Sequence, residues 1–154
     1  RRLTSKIVKN LTRRQFGILI GGLTLWSFRN EIKSFTFDEM ACKHCSHCGG
    51  ASDMDENFMM KLQQLRDACG FALPVNSGFR CAQKNIDCGG HKGSAHLTGE
   101  GADLRVERDK ARIVIQKAIE MNFSVGISQK GNSRFVHIDS KKRDSGKANL
   151  WSYA

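Results

Sequence analysis

The stretch that most constrains this chain runs Ser94-Ala95-His96-Leu97-Thr98-Gly99-Glu100-Gly101-Ala102-Asp103. It sets two metal-binding side-chain types seven positions apart with glycines between them. Histidine offers a neutral imidazole nitrogen and aspartate a carboxylate oxygen, both ordinary zinc ligands. Gly99 and Gly101 interrupt any helix that would carry both residues, so His96 is expected on a loop and Asp103 on the strand that follows. A catalytic zinc takes three protein ligands and keeps one position open for water, so the fold must bring a third ligand from elsewhere. Phe135-Val136-His137-Ile138-Asp139 supplies it. At the period of two of a strand, Phe135, His137 and Asp139 share one face and Val136 and Ile138 the other.

The flanking pattern predicts how these segments are carried. Residues 53–69 hold Phe58, Leu62, Leu65 and Cys69 at helical spacing, with acidic residues in the first turn and Gly70 as a stop. Residues 72–76 contain the only proline of the chain, Pro74, which suits an edge strand or an extended entry. A polar, glycine-bearing loop is expected over 81–101, and a loop that long in a small domain is usually functional. Residues 102–106 predict a strand, 108–121 a second amphipathic helix, and 124–128 and 134–140 two further strands. The order α, β, β, α, β, β favours an α+β domain with a small, mainly antiparallel sheet and helices on one face. With 154 residues there is room for one such domain and a short extension.

The net charge of +10 first suggests a nucleic-acid partner. Its distribution argues against one. Residues 1–34 hold eight basic side chains against the single acid Glu31, so +7 of the +10 lies there and the body keeps only +3. No basic face remains to follow a phosphate backbone, and no nucleic acid is expected as partner. Within this leader, Thr12-Arg13-Arg14-Gln15-Phe16 precedes an apolar run over 16–28 and resembles a twin-arginine export signal. The run is shorter than the ~20 residues that span a bilayer, so at most transient membrane contact through the leader is expected. Residues 1–34 are therefore set aside as a leader, and 35–154 form the expected domain.

Ser94-x-His96-x-x-Gly99 with Asp103, followed by Val136-His137-Ile138-Asp139, resembles the M15 family of zinc D-Ala-D-Ala carboxypeptidases and peptidoglycan endopeptidases. The likeness extends through Phe35-Thr36-Phe37-Asp38-Glu39 and Ser77-Gly78-Phe79-Arg80 to Trp151-Ser152-Tyr153. It implies the Hedgehog/DD-peptidase-like fold, with His96, Asp103 and His137 holding one catalytic Zn²⁺. It also implies a peptidase, a peptidoglycan hydrolase acting on stem or cross-link peptides as a monomer. The expected setting is the periplasm or cell envelope, or, for a phage-encoded chain, release at lysis. Ser94 and Arg80 fall on family positions, and the planar fork of Arg80 suits a carboxylate or a developing oxyanion. One signature position departs, with Gly101 where the family has alanine, and a small backbone adjustment is expected there.

A second departure concerns the general base. Branches of the family place an acid three residues before the second histidine, or another histidine two before it; this chain has Arg134 and Phe135. Asp139 is the nearest carboxylate on the correct strand face. It is the candidate base, with a competing role as the acceptor that orients an imidazole. His91 and Glu100 on the loop are weaker alternatives. The missing acid also leaves open a zinc-stabilised cell-wall-binding module without catalysis.

Six cysteines complete the chemistry-bearing residues. Cys42, Cys45 and Cys48 form C-x-x-C-x-x-C, with His44 and His47 between them; Cys69, Cys81 and Cys88 follow. The C-x-x-C spacing suits a second, structural zinc at Cys42, Cys45 and Cys48, completed by Cys81, Cys88 or a histidine. The even count and an exported setting suit disulfides instead, and free thiols are the third reading. Cys69, on the apolar face of a helix, is expected in the core.

Overall fold

The computed structural model describes residues 32–141, 143 and 146–153. The twin-arginine-like motif and the apolar run of the leader lie outside the described residues. The first long helix is α2 (Glu56–Cys69), preceded by a single turn, α1 (Phe37–Met40). The Asp55 carboxylate accepts the Phe58 N–H at 2.7 Å and caps α2, and Gly70 ends it in the left-handed region at φ 73°. Residues 53–55, predicted as the first helical turn, stay outside the helix because the Asp55 N–H donates to Gly99 O at 3.1 Å. Phe58, Leu62 and Leu65 are buried, as their spacing predicts.

Five strands form one open sheet in the order β1-β2-β4-β3-β5: β1 (Val75–Ser77), β2 (Gly101–Leu104), β3 (Ser124–Ser128), β4 (Phe135–Asp139) and β5 (Leu150–Ser152). Every pairing is antiparallel except β3 with β5. β1, which follows Pro74, takes an edge. Across the centre, Ala102 pairs with Ile138 and Ile138 with Val125; Leu104 pairs with Val136 and Val136 with Ile127. These apolar rows join α2 and the helix α4 (Arg108–Glu120) in one core. α4 packs on β3, β4 and α2. Phe58 of α2 meets Phe123 edge to face, with ring centroids 6.3 Å apart. The α+β architecture expected from the sequence is therefore observed.

Other features also differ from the predicted pattern. The stretch 81–101 is not a plain loop: it carries α3 (Ala82–Asp87) and a 3₁₀ turn (Ala95–Thr98). α3 has no apolar periodicity to betray it, and its start is fixed by Cys81 Sγ accepting the Lys84 N–H at 3.4 Å. α1 spans four residues, too short for a periodic signal, and rests on Thr36 Oγ1 accepting the Glu39 N–H at 3.1 Å. β5 spans three residues and is held by long-range bonds, Val125 N–H to Asn149 O at 2.8 Å and Tyr153 N–H to Ile127 O at 2.9 Å.

Because Phe58 has no exposed surface and joins α2 to the end of α4 through Phe123, Phe58→Ala is expected to cost about 3–5 kcal/mol of folding stability. Urea unfolding of the two proteins measures this as a lowered midpoint at unchanged slope.

Candidate metal centre

The Ser-x-His-x-x-Gly motif is one capped turn. Ser94 Oγ accepts the His96 N–H at 3.3 Å at the front of the 3₁₀ turn, and Gly99 closes it with φ 70°, a conformation glycine adopts without steric cost. The next residues enter β2, so His96 leaves the turn while Asp103 leaves the strand. On the far side of the sheet from α4, the register sets Ser77 beside Asp103, Asp103 beside His137, His137 beside Gly126 and Gly126 beside Trp151. His96, Asp103 and His137 come together there, all of them buried.

His96 Nε2 lies 3.3 Å from Asp103 Oδ1, and His137 Nδ1 lies 2.8 Å from the same oxygen. One ligand atom from each residue fits within a 4.8 Å span. A tetrahedral zinc with bonds of about 2.0–2.1 Å sets its ligand atoms about 3.3 Å apart, so the donor set and its spacing fit such an ion. The opposite nitrogens are also committed. His96 Nδ1 is 2.6 Å from Gly78 O, so it carries the proton and leaves Nε2 free to ligate. His137 Nε2 is 3.3 Å from Asp139 Oδ2. One imidazole thus lies between two carboxylates, an arrangement that calls for positive charge on the ring or on an ion beside it.

The titration behaviour follows from this packing. Burial raises the Asp103 carboxyl, but hydrogen bonds with His137 and His96 outweigh it and hold the group below the usual carboxylate range. Burial lowers His137, and its bonds to Asp103 and Asp139 more than reverse the effect. Asp139, with 1% of its surface exposed, is raised by burial but brought below its ordinary value by His137 and Arg143.

Arg80 and Asp139, the two residues assigned to catalysis from the sequence, both reach the centre. The Arg80 guanidinium pairs with Asp103 Oδ2, its Nε donates to Ser77 Oγ at 2.8 Å, and its backbone N–H donates to His96 O at 3.0 Å. Asp139 accepts from Arg143 Nη1 and Nη2 at 3.0 and 2.9 Å and from the Lys141 N–H at 3.1 Å, besides facing His137. Arg143, which sequence reasoning missed, is thus the anchor of Asp139. It is further fixed by Ser124 Oγ at 2.6 Å and lies over the Trp151 ring at 5.8 Å. Gly78 O was missed as well, since a backbone carbonyl leaves no mark in a sequence.

Arg80, His96, Asp103, His137, Asp139 and Arg143 line a cleft of about 750 Å³, walled by Phe135, Trp151 and Tyr153 and bordered by His91. Glu100, the other loop alternative, does not line it and is bonded by the Thr98 hydroxyl at 2.7 Å. Arg134, where a family branch would place an acid, is paired with Glu107 at 3.1 Å. A groove of about 630 Å³ along α4, past Ile115 and Ile119, contains none of His96, Asp103 and His137. At Gly101, an added Cβ would sit 2.9 Å from Ala95 Cβ and 3.3 Å from His137 Cε1. The glycine therefore lets the turn and the His137 ring lie closer than an alanine would allow.

A second cluster lies apart from the cleft lining. Cys42, Cys45, Cys48 and Cys81 bring their sulfurs within 4.8 Å of one another. Cys69 and Cys88 are not part of it, and no disulfide joins any of the six. Cys69 is only half-buried but packs against the core from α2.

The fold thus offers two histidines and an aspartate, from a capped turn and two neighbouring strands, to an open cleft as a candidate metal centre. The family model for peptidase M15 matches residues 33–139, and the chain belongs to that family. No curated protein matches it.

A Cβ on Gly78 would fall 2.5 Å from Met40 O, so Gly78→Ala must shift the carbonyl that holds His96. Its zinc affinity is expected to fall about 10–100-fold, the usual effect of losing a ligand's hydrogen-bond partner, measured by competition with a chromogenic chelator.

Proposed function

We propose that this protein is a zinc-dependent peptidase of bacterial peptidoglycan, hydrolysing a peptide bond in a stem or cross-link peptide. The observation that carries this reading is the convergence of His96 Nε2, Asp103 Oδ1 and His137 Nδ1 beside a cleft in a chain of the M15 family. His96, Asp103 and His137 would hold the zinc ion, which when bound would supply Lewis acidity toward the scissile carbonyl and lower the pKa of a water to ~7. The chain's own residues do the rest.

Gly78 O and Asp139 each fix one imidazole in the tautomer that presents a lone pair to the ion. Asp139 is clamped by Arg143 and by the Lys141 amide, and this supports an orienting role for it over that of the base. Arg80 borders the cleft with its fork beside Asp103, suited to a carbonyl oxygen that gains negative charge or to a substrate carboxylate. The three aromatic rings of the wall offer flat apolar surface to the substrate's side chains. His91, the remaining imidazole of the cleft, is the candidate for carrying a proton to the leaving amine. The basic, apolar leader supports an exported protein of the cell envelope.

Incubation of the zinc-loaded protein with defined muropeptides, followed by mass analysis, tests the reading. New free amines, lost on chelation and restored by zinc, are expected, and the product masses report which bond is cut. His96→Ala should release none. Binding of wall fragments with no amine release from the wild type would establish a binding module instead. Asp139→Asn separates the two roles of that residue: orientation predicts zinc affinity lower by about 10–100-fold with kcat recovered at saturating zinc. A base predicts kcat lower by about 10²–10⁴-fold with the metal fully bound.

A further inference from the structure

We propose that Cys42, Cys45, Cys48 and Cys81 form a second, structural zinc site of four thiolates that clamps the segment 42–51 to the entry of α3. The inference stands apart from the catalytic reading. It rests on a set of sulfurs that the peptidase centre does not use.

The geometry points to a metal rather than to disulfides. Four sulfurs, not two, share one locus: all lie within 4.8 Å of one another, and Cys45 Sγ is 3.4 Å from Cys81 Sγ. A tetrahedral Zn–S₄ centre with bonds of about 2.3 Å has edges of about 3.8 Å, within the range the cluster already occupies. Pairing as disulfides would draw each sulfur toward a single partner at about 2.05 Å. That would split the cluster into two pairs.

The surroundings fit a thiolate centre. The Cys81 N–H approaches Cys42 Sγ at 3.5 Å, and the Lys84 N–H donates to Cys81 Sγ at 3.4 Å. Backbone donors of this kind stabilise negative sulfur. The Cys42 N–H donates to Ala51 O at 2.9 Å and the Ala51 N–H to Cys48 O at 3.2 Å, which closes the three-cysteine segment into a small loop independent of any metal. On binding, each thiol gives its proton to solvent, leaving a Zn²⁺ with four thiolates and a net charge of −2. Lys43 and Lys84 adjoin this segment, their ammonium groups bonding Val75 O and His44 O at 3.0 and 3.5 Å.

The clamp has a structural consequence. Cys81 follows Arg80 directly, and the Met40 O preceding the cysteine segment accepts the Phe79 N–H at 2.8 Å. A metal on the four sulfurs therefore braces, from outside the cleft, the 78–81 stretch that supplies Arg80 and the His96 partner Gly78 O. It does for this stretch what the hydrophobic core does for β2 and β4.

The test is metal counting together with thiol mapping on the full chain. Zinc-loaded wild type should hold two zinc ions per chain. Cys45→Ser and Cys81→Ser should hold one and keep it at the catalytic centre, His96→Ala should keep the other, and Cys88→Ser should retain both. If the cluster variants fail to fold, the wild type alone decides. Alkylation followed by peptide mapping should label Cys88 at once, and Cys42, Cys45, Cys48 and Cys81 only after a chelator strips the zinc. Labelling of those four at the rate of Cys88 in the zinc-loaded protein overturns the proposal. So does labelling that requires a reductant instead of a chelator, because the four would then be disulfides.

Discussion

Asp103 and His137 lie opposite each other because β2 and β4 pair in one register, and everything at the metal centre depends on that register. A slip of one residue would turn every side chain of the strand to the other face. The slip is opposed from behind: Ala102, Leu104, Val136 and Ile138 have no exposed surface and are sealed by α2 and α4. At roughly 1.5–3 kcal/mol for each large side chain buried, this row outweighs any local preference of the polar residues between them. Hydrophobic burial on one face thus fixes the polar alignment on the other.

The polar face carries its own requirement. His96, Asp103, His137 and Asp139 are all buried, and buried ionisable groups are tolerated only when paired. The pairing here is layered. Asp103 is shared by two imidazoles and Arg80, each imidazole is held at its far nitrogen, and Asp139 is in turn held by Arg143. Preorganisation of this kind suits a metal peptidase, in which ligand orientation must be set before substrate arrives. The four-cysteine cluster extends the same logic outward to the stretch that carries Arg80.

Much of this was legible in the sequence, for definable reasons. The period of two in Phe135-Val136-His137-Ile138-Asp139 identified the face of His137 and Asp139, and helical spacing identified the buried side of α2. The glycines after His96 marked the turn that separates it from the strand of Asp103, though the 3₁₀ form of that turn and its serine cap came only from the structure. Elements without such marks were missed. α3 is short and largely polar, α1 is a single turn, and β5 is defined by partners distant in the chain. The distinction between Asp139 as base and as orienter was not legible at all, since it turns on Arg143 and Lys141, whose approach is a property of the folded loop.

The sequence by itself determined the types and spacing of the candidate metal ligands, the two helices with one apolar face, and the family whose motifs these residues match. Those are properties of neighbours along the chain, where periodicity and turn chemistry act directly. Only the tertiary structure decided which cysteines gather, with Cys81 joining Cys42, Cys45 and Cys48 while Cys69 and Cys88 stay apart. It likewise decided which carbonyl holds His96 and which arginine holds Asp139. These contacts join segments from different parts of the chain, and their partners are selected by how the turns and strands pack on a common core rather than by any local pattern.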